Sequence, residues 1–168
     1  MLPSRQVPAK QLIPDCLDSW EFSRFVTLAT NDVSITGSSL PTSKLPYGIL
    51  RDRLREWDGR MNRQIVGKHW RKREADRMWA FYFLEKPDVN PHWHGLVRFF
   101  PIEGKSEAYQ QAVFDENAGP TWKELVPSGT VDVQPVPMQR GVAEYLAKEL
   151  GHPISYEHFV TPDEFIRG

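Results

Sequence analysis

Residues 79–100 read WAFYFLEKPDVNPHWHGLVRFF and contain two apolar runs separated by turn-forming residues. The first run, residues 79–85, is dense in aromatic side chains and stops at a Lys-Pro-Asp sequence, which is typical of a β-strand that ends in a turn. The second run, residues 92–100, lies between two prolines. Because the connection at 86–91 is short, the sequence predicts an antiparallel hairpin.

The rest of the chain alternates between helical and extended patterns around this hairpin. The resulting order is strand, helix, strand, strand, helix, strand, helix, which predicts an α+β fold with an antiparallel sheet and helices packed on it. The prolines at 135 and 137 favour an edge position for the last of these strands. The remaining predicted strands are 25–29 and 129–136, and the predicted helices are 47 to about 73, 104–117 and 139–150.

Composition limits the class of protein. A chain of 168 residues with 40% hydrophobic side chains fits one domain with a real core. Cys16 is the only cysteine, which excludes an intramolecular disulfide and a four-cysteine zinc site and indicates an intracellular protein. No apolar run is long enough to span a bilayer, so we expect no membrane partner and an intracellular, cytoplasmic location.

Metal-ligating side chains cluster around the predicted hairpin. His92 and His94 are two residues apart in a strand, so both imidazoles project from the same face. Glu85 ends the preceding strand, where cross-strand neighbours stand about 5 Å apart. Two imidazoles and a carboxylate leave positions open for water or a phosphate oxygen and suit Mn²⁺ or Mg²⁺. The sequence therefore predicts a divalent-metal site, with any contribution from Asp132 or Gln134 left open.

Tyr145 and Lys148 form a candidate catalytic pair in the predicted helix 139–150. Residues three apart share a helix face, so the ammonium group would lie beside the phenol. A phenol with a pKa of about 10 is a poor nucleophile at neutral pH, and a nearby cation stabilises the phenolate. The same spacing also occurs where a tyrosine packs on a sheet beside an extended lysine. The other four tyrosines lack a lysine at this spacing, which makes Tyr145 the predicted nucleophile.

Positive charge is concentrated in residues 51–77, although the whole chain has a formal net charge of −1. This segment carries ten Lys and Arg residues against five acids. A local basic patch on a nearly neutral chain favours a phosphate-bearing partner over a membrane, although a solvated helix face also produces such a run. The predicted DNA-binding residues are Arg60, Arg63, Lys68, Arg71, Lys72 and Arg73.

Taken in chain order, these features resemble the replication-initiator branch of the HUH endonucleases, named for the pattern His-hydrophobe-His. This branch comprises the rolling-circle Rep proteins of small plasmids and single-stranded DNA viruses. The resemblance covers residues 22–151. The matching residues are 25–30 for a first, structural motif, His92-Trp93-His94 with Glu85 for the metal motif, and Tyr145 with Lys148 for the nucleophile and its partner.

The resemblance implies a five-stranded antiparallel sheet with flanking helices, akin to RNA-recognition and ferredoxin-like folds. It implies metal-dependent nicking and rejoining of single-stranded DNA at an origin hairpin through a 5′-phosphotyrosine. The corresponding division of the chain is an N-terminal arm at 1–21, the nuclease domain at 22–151 and a C-terminal tail at 152–168. No phosphate-loop motif follows, so we expect a helicase to be supplied by the host replication proteins.

Three alternatives stay open at this point. A single-tyrosine HUH transposase also nicks hairpins with one tyrosine, but the lysine three residues after Tyr145 and the early strand motif favour a replication initiator. A small metal-dependent oxygenase with a double-stranded β-helix also uses a His-x-His pattern, but the helical stretch after residue 47 argues against it. A non-catalytic single-stranded nucleic-acid binder would stack bases on Trp79, Phe81 and Phe83. We favour a core position for these three aromatic residues.

Overall fold

The computed structural model describes residues 21–31, 47–87, 90–136, 141 and 159–165, and these form an α+β arrangement. Five antiparallel strands make one sheet with the spatial order β4-β1-β3-β2-β5. Two long helices flank the sheet. The elements are β1 (Arg24–Ala29), α1 (Tyr47–Val66), β2 (Trp79–Glu85), β3 (His92–Arg98), α2 (Glu107–Leu125), β4 (Thr130–Pro135) and β5 (Phe159–Val160).

This architecture confirms the predicted fold class and the predicted hairpin. β2 and β3 pair antiparallel over their full lengths, and β4 lies at an edge of the sheet as its proline suggested. An open five-stranded sheet with two helices is not a double-stranded β-helix, so the oxygenase alternative does not fit. Among the described residues, neither helix is long and apolar enough to cross a membrane.

The two faces of the sheet have different surroundings. One face packs against both helices in a large core that includes Val26, Tyr82, Trp93 and Trp122. Trp93 is fully buried there, as its position between two histidines predicted. The other face, which we call the ligand face, carries the side chains that alternate with these, including both histidines. The ligand face also has a smaller buried cluster: Phe22, Phe81, Phe83 and Leu96.

The burial of Phe81 and Phe83 confirms their core position. Each is exposed by only 5–6%, and the ring of Phe159 from β5 contacts both. Trp79 packs partly buried against the same cluster. Phe81 and Phe83 therefore offer little surface for stacking on a nucleic-acid base.

Helix α1 ends earlier than the sequence predicted. Its apolar positions recur at helical spacing through Ile65, which is fully buried. Gly67 then adopts a left-handed φ of 114°, a conformation that glycine enters without strain and that ends the helix. Lys105 donates to the carbonyls of Ile65 and Val66 and satisfies two groups that the helix end leaves unpaired. Gly59 lies within the continuous helix and does not interrupt it.

After α1, residues 68–77 fold as two short 3-10 turns rather than as helix. The turns are Trp70–Lys72 and Glu74–Asp76. The buried Arg77 guanidinium donates to the carbonyls of Trp70 and Arg71 and lies 4.8 Å from the centre of the Trp70 ring. This arginine therefore fixes a compact basic loop that helical periodicity did not predict.

Helix α2 is longer than predicted at its C-terminal end. Ser106 caps its start by accepting from the Tyr109 amide, and the helix continues through Pro120 to Leu125 instead of ending near 117. The proline removes one backbone hydrogen bond, but buried contacts on either side hold the helix together. In particular, the Trp122 indole donates to the carbonyl of Ala29 at 2.8 Å and ties the end of α2 to β1.

The fifth strand comes from the segment predicted as a C-terminal tail. Phe159–Val160 pair with β2 opposite Phe83 and Tyr82, so part of 152–168 belongs to the sheet. The predicted helix at 139–150 lies outside the described residues except for Gly141, which is helical. Residues 32–46 and the predicted N-terminal arm, apart from residue 21, also lie outside the described residues.

A buried carboxylate joins α1 to β2. Asp58 accepts from the Tyr82 hydroxyl at 2.7 Å and from the Asn62 amide at 3.0 Å. Asn62 in turn accepts from the Met78 backbone amide. Burial raises the pKa of Asp58 to about 6, although both hydrogen bonds and the nearby Arg77 act in the opposite direction. The same environment raises the pKa of Tyr82 well above its ordinary value.

Asp58 should make the protein less stable as the pH rises through 6. The pKa of Asp58 is higher in the folded protein than in the unfolded chain. At pH values between these two pKa values the folded protein binds more protons than the unfolded chain, so its stability falls as the pH rises. Relative to Asp58→Asn, the free energy of unfolding of the wild type should fall by roughly 2 kcal/mol from pH 4 to pH 7, measured by urea unfolding. Asp52→Asn, on the exposed side of α1, controls for charge loss. Parallel pH profiles for wild type and Asp58→Asn would contradict this.

Candidate metal centre

The β2–β3 hairpin brings Glu85, His92 and His94 together on the ligand face. Glu85 lies directly opposite His92 in the antiparallel register, and Phe83 lies opposite His94. The Oε2 atom of Glu85 is 2.9 Å from Nε2 of His92 and 2.6 Å from Nε2 of His94. The structure thus places the three predicted ligands in one cluster.

The cluster has the size and the accessibility of a metal site. One ligand atom from each of the three residues can be chosen so that all lie within 4.8 Å of one another. Ligands at about 2.1 Å from one ion stand roughly 3–4 Å apart, so small side-chain shifts would accommodate Mn²⁺ or Mg²⁺. The three side chains are 9–19% exposed, which leaves the centre within reach of a ligand from outside.

The charge state of Glu85 also favours a cation. Burial alone would raise the pKa of this carboxyl, but the hydrogen bonds and charge interactions with His94 and His92 together outweigh burial and lower the pKa. The carboxylate is therefore ionised at neutral pH and faces two imidazole nitrogens. This donor set suits a divalent ion of intermediate character, which takes both nitrogen and oxygen ligands.

Each histidine has a hydrogen-bond partner at Nδ1, the ring nitrogen that faces away from Glu85. Nδ1 of His92 is 2.8 Å from the carbonyl oxygen of Asn90, and Nδ1 of His94 is 3.0 Å from the hydroxyl of Thr27. A carbonyl only accepts, so Nδ1 of His92 donates to Asn90. With a metal ion bound, Nε2 would then offer its lone pair to the ion in place of the contact with Glu85. Asn90 is itself held by paired contacts with Asn31 at the end of β1.

Sequence reasoning missed these supporting residues. The alternation of Phe25, Thr27 and Ala29 places their side chains on one face of β1. The sequence does not show which strand pairs with β1, and therefore which side chains lie beside these three. The structure pairs β1 with β3, so that Thr27 lies opposite His94. The ring of Phe25 stacks on the His94 imidazole, with centroids 5.3 Å apart and planes inclined by 15°.

Asp132 and Gln134, left open from the sequence, lie on the ligand face but not in the cluster. Asp132 is opposite Thr27 on the edge strand β4, one strand further from His94. The Gln134 amide donates to the Asp132 carboxylate at 2.8 Å. The cluster within the described chain thus consists of the three predicted ligands.

The predicted nucleophile and its partner are not tested by this arrangement. Tyr145 and Lys148 lie outside the described residues, so their roles stay predictions. Comparison of the chain with family models, curated proteins and solved structures found no match.

The predicted DNA-binding residues lie on α1 and the loop after it, on the helix side of the sheet. Arg60 forms ion pairs with Glu56 and Glu124, and Arg73 pairs with Asp76. A cleft of about 670 Å³ lies between α1 and the loop. Its basic lining residues are Arg55, Arg60, Arg63, Lys68 and Arg71, with Asp52, Glu56 and Asp58 as acidic neighbours.

We call the cationic residues of α1 and of the loop after it the basic surface. The basic surface and the ligand face are on opposite sides of the sheet. α1 packs through its buried positions against the side of the sheet that carries Tyr82 and Trp93. Glu85, His92 and His94 project from the other side. A single nucleic-acid strand could reach both surfaces only by passing around an edge of the sheet.

Removal of either imidazole should abolish tight metal binding. His92→Ala and His94→Ala should each weaken Mn²⁺ binding roughly 100-fold or more by calorimetry, since direct ligands contribute more than outer contacts, which are worth 10–100-fold. His69→Ala, an exposed histidine on the basic loop, is the matched control and should bind Mn²⁺ like the wild type. Unchanged affinity in both ligand variants would rule out the assignment.

Proposed function

We propose that this chain is a metal-dependent endonuclease of the HUH replication-initiator type, which nicks and rejoins single-stranded DNA. The observation that carries the proposal is the convergence of Glu85, His92 and His94 on neighbouring strands of a five-stranded antiparallel sheet. The resemblance of the sequence to HUH initiators implied both this ligand set and this sheet. The structure contains such a sheet, and the clustering of the three side chains supports their proposed role as ligands of a divalent ion.

The donor set suits phosphate chemistry. A divalent ion held here would supply positive charge to a scissile phosphate and fix its orientation. With two neutral imidazoles and one carboxylate as ligands, a divalent ion would keep about half of its positive charge for the substrate. The partly exposed position of the side chains at the ends of β2 and β3 gives a phosphate access.

The proposed reaction is a transesterification with Tyr145 as the nucleophile. The phenolic oxygen, having lost its proton, attacks phosphorus in line, and the bond from phosphorus to the 3′-oxygen breaks. The 3′-oxygen leaves and takes up a proton, and the 5′-phosphate stays joined to Tyr145. Lys148, three residues further along the chain, would favour the phenolate and neutralise charge on the phosphate. The new ester retains the energy of the phosphodiester, so a later 3′-hydroxyl can reverse the step.

The basic surface has a separate part in this proposal. Because it lies across the sheet from Glu85, His92 and His94, its residues bind DNA phosphates other than the scissile one. Arg63 and Lys68 form no ion pair within the described part of the chain. These two cations are available to nucleic-acid phosphates and should control affinity rather than chemistry.

A covalent adduct is the direct test of the nucleophile. The protein with Mn²⁺ and a pool of labelled single-stranded hairpins of varied loop sequence should give a slowly migrating species on a denaturing gel. Tyr145→Phe should abolish this species, because it removes only the attacking oxygen.

Tyr109→Phe serves as the control for the adduct assay. Tyr109 is a half-exposed tyrosine on α2, and the variant should form the adduct normally. An adduct that persists in Tyr145→Phe would remove this residue from the mechanism. Hairpin binding in Mn²⁺ without any adduct would instead favour the non-catalytic nucleic-acid binder.

Charge removal from the basic surface should weaken binding without slowing chemistry. Loss of two phosphate contacts in the double variant Arg63→Ala/Lys68→Ala should reduce the slope of log affinity against log salt by roughly 1.4 for single-stranded DNA. At saturating DNA, the rate of adduct formation should match the wild type, because the metal cluster lies across the sheet. Lys123→Ala, an exposed lysine on α2, is the control. A slowed saturated rate with unchanged salt slope would contradict the division of roles.

A further inference from the structure

We propose that Thr27 is a positioning residue for His94, acting through the side of the imidazole that faces away from the metal cluster. This inference rests on the metal site of the proposed function. It goes beyond that proposal by giving a chemical role to a residue of the strand that the resemblance treated as structural.

The contacts of the His94 ring support this role. The imidazole contacts Glu85 at Nε2, the hydroxyl of Thr27 at Nδ1, the ring of Phe25 stacked on its face and the ring of His92 edge-on. The side chain is only 9% exposed. Phe25 restricts the plane of the ring, while Thr27 is the described hydrogen-bond partner of the second nitrogen. Removal of the hydroxyl would therefore leave Nδ1 without that partner at a largely buried site.

The chemistry of the hydroxyl fits this position. A threonine hydroxyl can accept a hydrogen bond from the Nδ1–H group, and Nε2 could then offer its lone pair to a bound metal ion. Ligating histidines generally donate their second ring N–H to such a partner, which fixes the tautomer and the ring orientation. For His92 the Asn90 carbonyl has the same function, so each imidazole has its own partner.

The position of Thr27 in the sheet makes the contact robust. β1 lies directly beside β3, and Thr27 is the register partner of His94, so the two side chains are nearest neighbours across the strands. Threonine is β-branched and has few rotamers, so its hydroxyl is held in place at low entropic cost. A long polar side chain at this position would reach Nδ1 with less directional control.

The test compares three substitutions by Mn²⁺ calorimetry without DNA. Thr27→Val keeps the shape and the β-propensity of the residue but removes the hydroxyl, and it should weaken Mn²⁺ binding roughly 10–100-fold. Thr27→Ser restores the hydroxyl and should bind within about threefold of the wild type, a shift well below the second-shell effect. Thr121→Val is the matched control, because it removes a buried hydroxyl that bonds Gln64 on the helix side, and it should leave Mn²⁺ affinity unchanged.

Imidazole nitrogen NMR supplies a readout that a purely structural role would not change. With Zn²⁺ bound, the wild type should show His94 protonated at Nδ1 with slow exchange of that proton. In Thr27→Val, the Nδ1 proton of His94 should exchange faster than in the wild type. In the metal-free variant, the two ring nitrogens of His94 should also give averaged shifts, while His92 keeps its wild-type signals.

Two results would overturn the inference. One is wild-type Mn²⁺ affinity in Thr27→Val, and the other is equal weakening in Thr27→Val and Thr27→Ser, which would trace the effect to size rather than to the hydroxyl. These outcomes are separate from failure of the proposed function. Tyr145→Phe should bind Mn²⁺ normally, and a protein that binds Mn²⁺ through His94 but forms no DNA adduct would leave the role of Thr27 intact.

Discussion

The register of the β2–β3 hairpin is the constraint on which the rest of this structure depends. Side chains alternate between the faces of a strand, so a slip of one residue would move His92 and His94 into the core and bring Trp93 to the ligand face. The burial of Trp93 against the helices opposes such a slip, because it would expose a large indole and bury two polar rings. Hydrophobic packing on one side of the sheet thus determines which polar groups meet on the other.

The sequence predicted those parts of the fold that depend on local pattern. The bounds of β2, the hairpin and the common direction of the two histidines follow from residues close together in the chain. The pairing of β1 with β3 does not, because it joins segments more than sixty residues apart through contacts that no short window contains. For the same reason Glu85 could be proposed as a ligand from the sequence, while Thr27 could not be proposed as the supporting neighbour of His94.

The errors at the helix ends have similar causes. α1 stops at Gly67 because the chain turns there to place Arg77 beneath the basic loop, and that arginine acts through backbone carbonyls that periodicity ignores. α2 passes through Pro120 because core contacts on both sides outweigh one lost hydrogen bond. β5 has two residues, too few for any pattern to identify, and it is defined only by pairing with β2.

The glycine that follows the two histidines shows how closely the faces of the sheet are linked. A Cβ atom at Gly95 would stand 2.8 Å from a methyl of Val26 and 2.9 Å from the Tyr82 ring. Val26 and Tyr82 are its register partners on either side, so their bulk occupies the space that a side chain would need. Evolutionary drift at position 95 is thus tied to the volumes at positions 26 and 82. An alanine there becomes tolerable only in a lineage in which both of those neighbours have first become smaller or moved, whatever happens to the ligands themselves.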